Sequence, residues 1–131
     1  MNKKLTGLIL VLLTTLFITG CVKPIHNVHD SAVMTVRDVS MSKDQVKRAI
    51  IKAGVHRGWK MREVKSGHII ATLDRSNYMA QIDIKYTEKK YSLTYKNSRG
   101  LNYDGTNIHR NYNNWIIYLD RAIQVYLDRM K

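Results

Sequence analysis

The apolar positions of the chain change period twice after residue 41, from helical to alternating and back to helical. Val46, Ala49, Ile50 and Ala53 recur at three- and four-residue spacing, with Lys43, Lys47, Arg48 and Lys52 on the other face, which predicts an amphipathic helix of about four turns. Ser42 followed three residues later by Gln45 is the pattern of a capping box at its start. Gly54 weakens the end of this helix and Gly58 stops it. Beyond Gly58 the period is two. Trp59 to Lys65 and His68 to Asp74 are short runs separated by Ser66-Gly67, a tight-hairpin signal. Ala80, Ile82, Ile84 and Tyr86 then alternate with polar residues before a Glu88-Lys89-Lys90 turn, and Tyr91, Leu93 and Tyr95 alternate likewise. Ser98 to Asn107 is rich in Gly and Asn and reads as a loop. Ile108, Tyr112, Trp115, Ile116, Leu119, Ile123, Leu127 and Met130 trace one stripe of a terminal helix, with Thr106 or Asn107 as its cap. These elements predict an α+β two-layer sandwich in the order α-β-β-β-β-α, a four-stranded antiparallel meander with the N- and C-terminal helices on its apolar face. Trp115 is expected in the core.

The N-terminus has a different pattern. Lys3 and Lys4 precede an apolar run from Leu5 to Ile18, the charge and hydropathy layout of an export signal. A membrane-spanning helix needs about 20 apolar residues, and this run is shorter and holds Thr14 and Thr15. Ordinary secretory cleavage wants small residues at the first and third positions before the cut, and the third is Ile18. Ile18-Thr19-Gly20-Cys21 instead resembles the lipobox of bacterial lipoproteins. The resemblance implies a signal peptide over 1–20 that is removed, lipidation of Cys21, and anchoring by three acyl chains. The competing reading of Cys21 is a lone thiol that pairs between chains or lies inert. Val22 stands where an Asp commonly marks retention in the inner membrane of Gram-negative bacteria, so the resemblance implies the outer membrane, facing the periplasm. Residues 21–40 contain Pro24 and no sustained period and read as a tether of at most about 60 Å, ahead of one domain over 41–131. A weak alternation around Val33 to Val39 allows an added edge strand.

Charge narrows the partners. The chain carries a net +12, which falls to +10 when Lys3 and Lys4 leave with the signal. That excess favours anionic glycolipid, peptidoglycan or an acidic envelope protein, and an envelope address makes nucleic acid an unexpected partner. With Cys21 lipidated no cysteine is left for a disulfide or thiolate zinc site, so stability must come from packing. The run Ile108-His109-Arg110-Asn111-Tyr112-Asn113-Asn114-Trp115, with Gly58-Trp59 upstream, resembles segments of small, functionally unassigned lipoproteins of Gram-negative bacteria. That resemblance spans most of the domain and carries no catalytic residue.

The chain has no phosphate-binding glycine loop, G-x-S-x-G elbow, H-E-x-x-H or cysteine-based metal pattern, and no cofactor is implied. His26 and His29 form an H-x-x-H pair without a third ligand. His56, His68 and His109 are isolated in sequence. Glu63, Asp74 and Asp83 fall on neighbouring predicted strands, where two could act as the acid and base of a glycan hydrolase if they stood about 5–10 Å apart. His109 lies at a predicted helix N-terminus, which favours anions, with Tyr103, Asn107, Asn111 and Asn113 as added hydrogen-bonding groups. Alternation places Lys60, Arg62, Lys85, Thr94 and Lys96 together on the sheet face opposite the helices, diluted by Asp74 and Asp83. Lys60, Arg62, Lys85, Lys96, Tyr103, His109 and Asn113 are therefore the candidate ligand-binding residues. Together these features imply a membrane-anchored, non-catalytic binding protein, with the hydrolase and a periplasmic subunit of a larger membrane complex as alternatives.

Overall fold

The computed structural model describes residues 20–33 and 39–130. Its elements are β1 (Val22–Pro24), β2 (Val28–Ala32), α1 (Lys43–His56), β3 (Lys60–Lys65), β4 (His68–Asp74), β5 (Met79–Tyr86), β6 (Lys90–Arg99), β7 (Asn107–His109) and α2 (Arg110–Arg129). Residues 1–19 of the signal peptide expected over 1–20, and residues 34–38 of the expected edge strand, lie outside the described residues. Val33 and Val39 themselves belong to no strand.

The fold is α+β, with a sheet larger than expected. The four strands read from alternation run consecutively and antiparallel as β3-β4-β5-β6, and β2 adds a fifth beside β6. β1 and β7 form a separate two-stranded sheet. The four-stranded meander is thus corrected to a five-stranded sheet plus a short ladder. The segment read as a tether is likewise part of the fold from its first residues. Cys21 accepts the Arg110 amide on its carbonyl at 3.0 Å and Ile25 donates to Thr106 at 3.0 Å. Val22 pairs with His109, and Pro24 with Asn107. The Asn27 side chain accepts the Tyr95 amide at 3.0 Å.

Helix α1 starts where the capping box placed it, with the Ser42 hydroxyl accepting from the Gln45 amide and the Gln45 side chain accepting from the Ser42 amide. Val46, Ala49, Ile50 and Ala53 are fully buried. Gly54 does more than loosen the helix end. A Cβ there would stand 2.2 Å from the Met61 sulfur, so the glycine lets β3 pack close against α1. Along α2, Tyr112, Ile116, Leu119, Ile123 and Leu127 are fully buried, and they join the inward residues of β4, β5 and β6 in one core. Each such side chain contributes about 1.5–3 kcal/mol by leaving water. Both helices therefore pack on a single face of the sheet. Trp115 is only partly buried at the margin of this core.

A polar link ties β2 to the layers. The Tyr91 hydroxyl donates to Asp120 at 2.5 Å and accepts from the Gln124 amide at 2.7 Å, and the same amide reaches the Ser31 hydroxyl at 3.3 Å. Burial, reinforced by the neighbouring Asp120 carboxylate, holds the Tyr91 hydroxyl well above the ordinary tyrosine range.

Candidate functional site

The face of the sheet turned away from the helices is where alternation put it. Lys60 pairs with Thr72 and Arg62 with Ile70, while His68 pairs with Lys85 and Ile70 with Asp83. These residues alternate with the buried Ile69, Ala71, Ile82 and Ile84, so all of them point outward. Lys60, Arg62, Lys85 and Lys96 are exposed. At the centre sits Asp83, 2.6 Å from His68 Nε2 and 4.0 Å from Lys96 Nζ. Lys96 is thereby partly neutralised, whereas Lys60, Arg62 and Lys85 make no ion pair among the described residues. The face is a lysine-rich rim around an occupied carboxylate.

The second cluster read from sequence is brought together for structural work. The helix begins at Arg110, and its cap is His109, whose Nδ1 accepts from the Asn111 amide at 3.2 Å. The caps expected at Thr106 or Asn107 are displaced because residues 107–109 pair with β1. Asn113 clamps the N-terminal segment, accepting from the His26 amide at 2.8 Å and donating to the Pro24 carbonyl at 2.9 Å. Asp104 accepts the Thr106 and Asn107 amides at 2.9 and 2.7 Å, and these backbone donors, Asn107 first, hold its carboxyl below the usual range. Tyr103 stacks on Tyr95 with centroids 4.0 Å apart. His109 Nδ1 and both side-chain polar atoms of Asn113 are therefore engaged with the chain itself.

The three carboxylates do not share a cleft. Glu63 pairs with Ile69 on the helix-covered face and meets Lys47 of α1 at 3.3 Å. This contact, with its hydrogen bond to Glu63 as the main cause, raises the Lys47 pKa. Asp74 lies four residues along β4 from Ile70, the partner of Asp83, an offset of about 13 Å at 3.3 Å per residue. It is held by Arg99 at 3.2 Å. Among the described residues no group of three or more His, Cys, Asp or Glu is placed to hold a metal, and no helix is long and apolar enough to cross a membrane.

Two hollows lie where the chain leaves α1, and a third, of about 330 Å³, is lined by Lys43, Lys85 and Lys90 at the far end of the sheet. Arg57 caps that helix with its backbone amide, and Gly58 follows at φ +85°, a turn that favours glycine. A cavity of about 290 Å³ is lined by Arg57, Trp59, Leu73, Arg75, Tyr78 and Trp115. Trp115 packs on Tyr78 with centroids 5.2 Å apart. A second hollow of about 310 Å³ shares Arg57 and runs between α1 and α2 past Tyr118, Arg121, Val125 and Tyr126. Arg57 lies 5.1 Å over the Tyr118 ring, a cation–π contact. Neither Arg57 nor Arg75 has an ion-pair partner among the described residues. Sequence reasoning missed this cleft because its residues come from two connections, a strand and a helix that are far apart in sequence. The sequence signal was Arg57-Gly58-Trp59, a cation and an indole astride a helix-stopping glycine.

Compared with known proteins, the chain matches no family model, no curated protein and no solved structure.

Proposed function

We propose that the protein is a non-catalytic lipoprotein of the outer membrane, anchored through Cys21 and facing the periplasm, which docks an anionic envelope component on its basic surface. The observation that carries the binding half of this reading is the convergence of Lys60, Arg62 and Lys85 on one open face without ion-pair partners. The anchor rests on the sequence from Lys3 to Cys21, and Cys21 is exposed. Exposed charges of this kind act over about 8–10 Å at physiological ionic strength. Binding of the full chain in detergent to lipopolysaccharide and to peptidoglycan fragments, at low and high salt, tests the proposal. Association should weaken steeply with salt and fall when Lys60 and Lys85 are both changed to Glu. Indifference to that double reversal removes the face as the docking surface. For the anchor, Cys21→Ser should abolish lipid attachment and leave unprocessed precursor, and an unmodified wild-type N-terminus by mass spectrometry overturns it.

A second reading, a subunit of a larger periplasmic assembly, is favoured by one observation. Val55, Tyr118 and Val125 are 61%, 44% and 46% exposed on the outer side of the helices, and apolar area of this kind marks contact surfaces when it is contiguous. Co-purification from membranes with the anchor intact distinguishes the two.

A further inference from the structure

The cleft between α1, the β4–β5 turn and α2 is a built site rather than an accident of the surface. Its floor is Trp59 and Leu73, each 3% exposed, and its walls are Arg57, Arg75, Tyr78 and Trp115. The Arg75 guanidinium lies across Gly58, where a Cβ would stand 3.2 Å from Nη2, so a glycine at this turn leaves room for a cation to lie against the backbone. The carboxylate next in sequence does not neutralise it. Asp74 is bound by Arg99 at 3.2 Å, and the same guanidinium nitrogen donates to the Arg75 carbonyl at 3.4 Å. The arrangement is two guanidinium groups without carboxylate partners, Arg75 against the turn and Arg57 resting on the Tyr118 ring at the cleft's edge, beside a partly exposed indole.

We propose that this cleft binds a sugar bearing a phosphate or carboxylate, with the pyranose ring against Trp115 and Tyr78 and the acid group held between Arg57 and Arg75. Guanidinium forks match the oxygens of phosphate and carboxylate and bind them in pairs. An aromatic face presents a broad apolar surface with negative π density to the C–H groups of a sugar ring. The cavity, about 290 Å³, is at the small end of ligand pockets, which span about 300–1,000 Å³. It therefore suits one sugar unit rather than a chain of them. The source of the sugar connects to the anchor. Arg110, whose amide bonds the Cys21 carbonyl, precedes Trp115 by five residues, about 7.5 Å along the helix. If Cys21 carries lipid, as proposed above, the cleft stands near the headgroup layer and the sugar belongs to an anionic glycolipid. Otherwise it is a soluble phosphosugar.

The test is tryptophan fluorescence of the full chain in detergent, titrated with glucosamine 6-phosphate, glucosamine and inorganic phosphate. Saturable quenching by glucosamine 6-phosphate, at least tenfold tighter than by either fragment, is expected. Arg75→Gln and Arg57→Gln should each weaken it tenfold or more, Arg75→Lys should fall between, and Trp115→Phe should remove most of the signal. The Lys60→Glu, Lys85→Glu double variant should bind the phosphosugar like the wild type, which separates this site from the sheet face. Unchanged circular dichroism in the arginine variants excludes unfolding as the cause. Vesicles of neutral phospholipid, with and without lipopolysaccharide, distinguish the sources. A gain with lipopolysaccharide that Arg75→Gln abolishes assigns a glycolipid, and no gain assigns a soluble sugar. Cys21→Ser, if it retains binding of free glucosamine 6-phosphate, keeps the cleft independent of the anchor. Absence of saturation, or equal binding by wild type, Arg57→Gln and Arg75→Gln, overturns the proposal.

Discussion

The open sheet face draws Lys60, Arg62 and Lys85 from regularly alternating strands, whereas the cleft draws Arg57, Arg75 and Tyr78 from two connections and Trp115 from α2, far apart in sequence. Both regions are cationic, and their physics differs. The face offers Lys60, Arg62 and Lys85, exposed side chains with no aromatic surface beside them among the described residues, around a carboxylate that already has partners, a surface suited to screened, long-range attraction. The cleft offers planar guanidinium groups and an indole held by a close-packed turn. Flat charge attracts a class of anions, and concave charge beside an aromatic ring selects among them.

The sharpest way to break this contrast is to compare positions on α2. Leu119 is fully buried, and Leu119→Ala should cost about 2–5 kcal/mol. Trp115 was expected in the same stripe, but its ring lies partly exposed against Tyr78. Trp115→Ala should therefore cost only about 1 kcal/mol, the scale of an aromatic pair. Urea unfolding of both variants decides it, and equal losses would return Trp115 to the core and remove it from the cleft.

A smaller effect probes the turn that carries Tyr78. Gly100 sits at φ +74°, and a Cβ there would stand 2.3 Å from the Asn77 carbonyl oxygen. Gly100→Ala should cost about 2 kcal/mol or more, since both strain and clash oppose it. Gly105 has positive φ with open space around it, so Gly105→Ala should cost about 1 kcal/mol. Thermal midpoints that fall equally in the two would mean the turn yields easily and does not hold the cleft rigid.

The pH response reports on the buried interior rather than on either cationic region. Tyr91 and Tyr112 are both raised above the ordinary tyrosine value, chiefly by burial. Stability is therefore fully present below about pH 10, the unfolded tyrosine value, and falls as pH rises beyond it, because the folded state resists losing those protons. Denaturant midpoints at pH 8, 10 and 11 should show this decline, and Tyr91→Phe should flatten part of it. The smallest change is expected on the sheet face. Lys60→Glu with Lys85→Glu should move stability by about 0.5 kcal/mol per site while weakening anion binding, and a large loss of stability would show that these lysines support the fold.

Local patterns in the chain were legible where the contacts they specify are local. The Ser42–Gln45 box, the helical stripes and the four alternating runs each depend on residues a few positions apart, and each appears in the structure. β2 was illegible because a bulge between Val28 and Ser31, with Asp30 at φ 49°, breaks its alternation. β1 and β7 are three residues each, too short to show a period. His109 was singled out as a ligand group, but pairing of β7 with β1 moved the helix start and turned its ring into a cap.

By itself, the sequence determined the two amphipathic helices, the alternating strands, the outward lysines and the charge excess, because side-chain periodicity is set by backbone geometry that every residue shares. Only the tertiary structure decided that Val22 to Ala32 belongs to the fold, that Glu63 faces away from Asp83, and that Arg57, Arg75 and Trp115 meet. Those outcomes depend on which distant segments pack together. That choice is made by the burial of the whole core, and no window of neighbouring residues encodes it.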